Sequence, residues 1–115
     1  GHHGSYTAST DALLDVVSPE ISVCTCVCGS KEYTKNNNNT FPSQNYIDRI
    51  SKHTDKVYVT SLCNDYDKGE YCSMNGNVIV SSNGSNVDVA CSNNDMLLKD
   101  TEWFKNNRTC PENWK

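Results

Sequence analysis

Apolar and polar positions alternate most cleanly over residues 21–28. Ile21, Val23, Thr25 and Val27 fall on one side and Ser22, Cys24, Cys26 and Cys28 on the other, a period of two that predicts a strand with three thiols along one face. Successive thiols on that face stand about 7 Å apart, beyond the reach of a bond between neighbours, so each needs a different partner. Upstream, residues 6–20 form an N-terminal arm whose apolar positions Leu13, Leu14, Val16 and Val17 end at Ser18-Pro19; a brief helix or an ordered arm fits, stopped by the proline. Gly29-Ser30 opens a loop through the run Asn36 to Asn39. From Pro42 or Ser43 the period changes to that of a helix, over about residues 42–53, with Tyr46, Ile47 and Ile50 inward and Asp48, Arg49 and Lys52 outward.

Val57 to Leu62 predicts a second strand. Tyr71–Met74 and Asn77–Ser82 flank Asn75-Gly76, and Asn83-Gly84 precedes Val87–Cys91. Asn-Gly suits a two-residue turn with positive φ, so two such turns in succession predict a three-stranded antiparallel meander over about residues 70–91. Short helical turns follow around Met96–Lys99 or Thr101–Lys105, with Trp103 and Phe104 closing the core. The fold class is α+β: one small domain over residues 21–115, an antiparallel sheet with one main helix packed on it.

Seven cysteines in 115 residues change this picture from a small core to a stapled one. A chain this short buries little, and cysteine at this density belongs to an oxidising compartment, so the domain is expected to be disulfide-stabilised and secreted. Cys24, Cys26 and Cys28 must find partners among Cys63, Cys72, Cys91 and Cys110, with connectivity left open. An odd count leaves one thiol free or bonded to a partner chain. Zinc is the rival use, but structural zinc favours knuckle loops over sulfurs splayed along a strand. No metal or cofactor is called for.

The net charge of −4 comes with eight lysines and two arginines scattered along the chain. That pattern offers no footprint for nucleic acid and no polybasic membrane patch. No apolar run reaches the length of a membrane span. Gly1-His2-His3-Gly4-Ser5 has the form of a cleaved polyhistidine tag with a Gly-Ser junction and is set apart from the fold. Fifteen asparagines include three glycosylation sequons, at Asn38, Asn83 and Asn107. In so Asn-rich a chain such triplets arise often, so they carry weight only beside the cysteines.

His53 is the one imidazole outside residues 1–5. It could act with Glu70 and Arg49 as an acid–base set, although a lone histidine at a helix end is more often a cap or a surface group. No Ser-His-Asp spacing, nucleophile elbow or phosphate loop accompanies it. Among Tyr58, Tyr66, Tyr71, Trp103 and Trp114, the tyrosine at 66 and the tryptophan at 114 are the candidate contact residues, and Trp103 is assigned to the core.

Tyr58-Val59-Thr60-Ser61-Leu62-Cys63, Lys68, Tyr71-Cys72, Val80-Ser81 and Asn83-Gly84 resemble the start of the β chain of a secreted yeast killer toxin, over residues 58–84. That resemblance implies a small secreted toxin chain, disulfide-linked to a partner and acting at the surface of a target cell. In organisation, a cysteine strand running into Cys28-Gly29-Ser30, then a helix, a sheet and a late cysteine is similar to the small secreted fungal guanyl-specific ribonucleases. Their catalytic Glu, Arg and paired His are not matched here, which implies a ribonuclease-like effector without the enzyme's site.

Together these features predict a secreted, non-enzymatic interaction protein, toxin- or effector-like, that binds a protein or cell-surface target. Two other functions fit the same features: a small secreted ribonuclease-like hydrolase, and the ectodomain of a virion, parasite or cell-wall surface protein.

Overall fold

The computed structural model describes residues 1–115. Helix α1 spans Asp11–Val17, strand β1 Ser22–Cys28, helix α2 Gln44–Ile50, strands β2 Val57–Asp65, β3 Glu70–Ser73, β4 Val78–Ser82 and β5 Val87–Cys91, and helix α3 Glu102–Asn107; single 3-10 turns lie at Asn37–Asn39, Leu98–Asp100 and Glu112–Trp114. This is an α+β domain with two small sheets, β1-β2-β3 and β4-β5. No helix is long and apolar enough to cross a membrane.

The principal helix is shorter than its apolar period predicts. Ser43 caps it by accepting from the Tyr46 N–H, and after Ile50 the chain tightens into a turn, with the His53 and Thr54 N–H groups both donating to the Ile50 carbonyl. Tyr46, Ile47 and Ile50 are buried as predicted. Helix α1 stops where Pro19 requires: Ser18 adopts a left-handed conformation and its N–H returns to the Leu14 carbonyl. Of the apolar patch on α1, only Leu14 enters the core.

Two expectations about the sheet are corrected. First, β1 and β2 run parallel, with Cys24 beside Val59 and Cys28 beside Leu62 and a bulge between. Residues 29–56 carry α2 across, and a connection of that length suits parallel neighbours. Second, there is no meander over residues 70–91. Strand β3 pairs back on β2 through a turn in which the Gly69 N–H donates to the Tyr66 carbonyl. Beyond β3 the chain leaves that sheet, and β4 and β5 pair only with each other.

Asn75-Gly76 is therefore not a hairpin turn. Asn75 is fully buried, and its side chain is spent on backbone: Oδ1 accepts from the Val59 N–H at 2.7 Å, and Nδ2 donates to the carbonyls of Met96 at 2.8 Å and Asn94 at 3.1 Å. It joins β2 to the segment that leads toward α3. The second turn does close a hairpin, where the Asn83 N–H donates to the Asn86 carbonyl.

The core gathers Leu14, Cys24, Cys28, Tyr46, Ile47, Ile50, Val57, Val59, Met74, Leu98, Phe104 and Trp114. Both ends of the chain are bolted to α2. Arg49 donates to the carbonyls of Tyr6, Ala8 and Ser9, while Gln44 exchanges two hydrogen bonds with the Thr109 backbone. The first residues also lie on the domain: the Ser43 N–H donates to the Gly4 carbonyl at 2.8 Å, and Ser5 is buried.

Candidate interaction surface

The three thiols of β1 do face inward. Cys24 and Cys28 are buried and Cys26 packs on the core. Burial pushes all three up, Cys24 to about 11. All seven cysteines are free thiols in this structure. Leu62 pairs with Cys72 and Cys63 with Tyr71, which sets Cys63 and Cys72 on opposite faces of the β2–β3 ladder. Burial and the nearby Asp65 raise the Cys63 thiol; burial and Asp95 raise that of Cys91. Cys110 is half-buried against the core, and Cys72 alone is exposed.

This ranking gives a measurable order of reactivity. At pH 8 a thiol titrating near 11 is thiolate on the order of one part in a thousand. In the reduced, folded protein, iodoacetamide is expected to label Cys72 first and to leave Cys24, Cys26 and Cys28 unmodified until denaturant is added. Peptide mapping by mass spectrometry reads this directly, and early labelling of Cys24 would contradict the packing described.

His53, Glu70 and Arg49 are not brought together. His53 Nε2 is buried, makes no hydrogen bond and lies 3.4 Å from Asp15 Oδ1. Arg49 is committed to the N-terminal arm. Glu70 pairs with Asp65 at the far end of β2 from the turn that carries His53; a strand of that length separates its ends by about 26 Å.

The sequons differ in what their side chains already do. Asn107 Nδ2 donates to the Trp103 carbonyl, and Arg108 beside it is buried. At the Asn38 site, the Thr40 hydroxyl is buried and donates to the Asn37 carbonyl. Asn83 stands on the open tip of the β4–β5 hairpin, with only its Oδ1 engaged, by the N–H groups of Ser85 and Asn86.

Trp114 is corrected from a surface contact to a core residue. It is 5% exposed, its ring packs 5.7 Å from that of Phe104, and its indole N–H donates to the Thr54 carbonyl at 2.9 Å. Tyr66 remains at the surface, on the β2–β3 turn.

The apolar surface that sequence patterning missed lies elsewhere. Pairing of Val78 with Cys91, Val80 with Val89 and Ser82 with Val87 places four valines and a cysteine on one face of the hairpin. The base of that face is half-covered, but toward the tip Val80 is 50% and Val87 44% exposed; Ile79 on the other face is 61% exposed. A lone two-stranded hairpin is marginal in water unless something covers it. A second apolar patch, Leu13, Val16 and Val17, lies at helical spacing on α1. The period-two valines were legible in the sequence; their exposure was not, because it depends on β4 leaving the main sheet.

No family model, no curated protein and no solved structure matches this chain.

Proposed function

We propose that this protein is a secreted, non-enzymatic interaction domain, toxin- or effector-like, that docks on a protein at the surface of another cell. One observation carries the proposal: the uncharged valine face of the β4–β5 hairpin, half-covered at its base and open toward its tip. Exposed apolar patches rimmed by polar residues are the usual mark of protein contact sites. The separation of His53, Glu70 and Arg49 supports binding over hydrolysis.

In an oxidising compartment, internal cross-links draw on the β1 thiols and later cysteines. The killer-toxin resemblance implies a disulfide-linked partner chain, and the exposure of Cys72 on the edge strand β3 supports that thiol as the link. A glycan at Asn83 would stand at the tip of the same hairpin.

The test is the double variant Val80→Lys/Val87→Lys, fluorescently labelled and titrated onto candidate target cells by flow cytometry. Binding is expected to fall about tenfold or more, with an unchanged melting temperature because both positions are exposed. Undiminished binding would remove the hairpin from the function. Intact mass without reductant, before and after alkylation, then asks whether Cys72 joins a second chain.

A further inference from the structure

A second surface site lies between β1 and the loop of residues 29–41, away from the hairpin in sequence and independent of it in argument. It is a cleft of about 160 Å³ whose lining includes Thr25, Ser30, Glu32, Tyr33 and Phe41. Two aromatic rings of the domain are layered there, Tyr33 on Phe41 at 5.6 Å and 25°; His3, of the tag-like residues 1–5, lies against the far side of Phe41 at 6.1 Å and 27°. Tyr33, the outer member, is 71% exposed. A large apolar ring left in water yet braced from behind is a rigid platform, and a ligand that stacks on it loses little side-chain entropy.

The lining selects the chemistry of that ligand. Ser30 and Thr25 supply hydroxyls and Glu32 a carboxylate, and the Ser30 hydroxyl accepts from the Glu32 N–H, tying the two residues together. No lysine or arginine lines the cleft; Lys31 instead borders a separate depression with Cys63 and Asp65. Outside residues 1–5, whose His3 also lines the cleft, a phosphate, a sulfate or a nucleic acid would thus meet a carboxylate and no basic side chain, on a protein of net charge −4. A quaternary ammonium needs rings set around it, whereas the two rings of the cleft outside residues 1–5, Tyr33 and Phe41, lie within 25° of parallel. The volume is below the roughly 300–1,000 Å³ of pockets for drug-sized molecules, which limits the occupant to about one ring. A neutral sugar satisfies each condition: its C–H face stacks on an aromatic ring, and its hydroxyls donate to a carboxylate and exchange hydrogen bonds with Ser and Thr.

We propose that the cleft beside Tyr33 binds a single neutral hexose or N-acetylhexosamine residue, stacked on Tyr33 and hydrogen-bonded by Glu32, Ser30 and Thr25. One sugar ring in a shallow cleft binds weakly, with a Kd of about 1 mM, so on a cell surface the site works through many copies or beside a protein contact.

The probes are the methyl glycosides of glucose, mannose and galactose, and N-acetylglucosamine, each titrated to about 50 mM against the full chain by saturation-transfer NMR. At least one is expected to saturate. Tyr33→Ala should weaken it about tenfold and Glu32→Gln severalfold, while Tyr33→Phe retains it because the ring platform remains. Tyr33 and Glu32 are exposed, so all three variants should unfold at the wild-type temperature. No signal from any neutral sugar, or a Tyr33→Ala variant that binds as well as the wild type, overturns the proposal. Tighter binding of guanosine monophosphate or choline than of every sugar also overturns it, since either would show the lining chemistry to be wrongly assigned.

Discussion

Asn75→Ala is expected to lower stability by about 3 kcal/mol, more than any exposed substitution in the chain. Alanine removes the partner of the Val59 N–H and of the Asn94 and Met96 carbonyls at once. The buried Val59 N–H left without a bond costs roughly 1–3 kcal/mol, and the part-buried Asn94 and Met96 carbonyls, which water can reach, add less. In urea, with a slope of about 1.5 kcal/mol per molar, the unfolding midpoint should fall by about 2 M. Asn75→Asp should be no better, because a carboxylate would face the two carbonyls that the amide now serves. Asn77→Ala, two residues on and exposed, is the control and should change stability by less than about 0.5 kcal/mol. Equal, small effects at both positions would mean that Asn75 is not the link between β2 and the segment leading to α3.

The second large effect is expected at Arg108. Its guanidinium is buried and donates to the carbonyls of Pro42 at 3.0 Å, Thr40 at 2.9 Å and Asn107 at 2.7 Å, and to the Thr40 hydroxyl at 2.9 Å. It also lies 4.6 Å from the centre of the Trp103 ring. No carboxylate pairs with it among these contacts. Burial pulls its pKa down. What holds the charge inside is the fork of N–H donors matched to a folded loop. Lysine keeps the charge but cannot reproduce that fork, so Arg108→Lys is expected to cost about 2–3 kcal/mol and Arg108→Ala about 3–4 kcal/mol. Thermal unfolding measures both. Hydrogen exchange should show the loop through Thr40 opening first in Arg108→Lys. Full rescue by lysine would show that charge alone matters there.

These two residues mark the boundary of what the sequence discloses. The inward side of α2, the strand character of β1 and β2 and the turn at Asn83-Gly84 follow from local period and turn chemistry, and all are present in the structure. Asn75-Gly76 carries the same local signal as Asn83-Gly84 but a different tertiary role, because a buried amide can satisfy backbone groups from two segments. Tyr66-Asp67-Lys68-Gly69, which the sequence reading passed over, closes β2 onto β3. The parallel pairing of β1 with β2 has no local signature beyond the length of the connection. Arg108 lies in no charge pattern, and its importance depends on carbonyls far away in sequence.

For function the gap is wider. Sequence spacing suggested His53 with Glu70 and Arg49, yet the fold sends them to different tasks and different ends of β2. Trp114 looked like a free contact and is a core residue. The valine face and the Tyr33 stack needed the chain's path before they could be recognised as surfaces.

Because Leu98, Phe104 and Trp114 complete the same core as Cys24, Cys28 and the buried side of α2, no early portion of the nascent chain can close it. At about 5–20 residues per second, translation leaves the β1 thiols uncovered for roughly 5–20 s before residue 114 is made. Any enzyme that oxidises Cys24, Cys26 and Cys28 therefore has its access during synthesis, and the finished domain withdraws it.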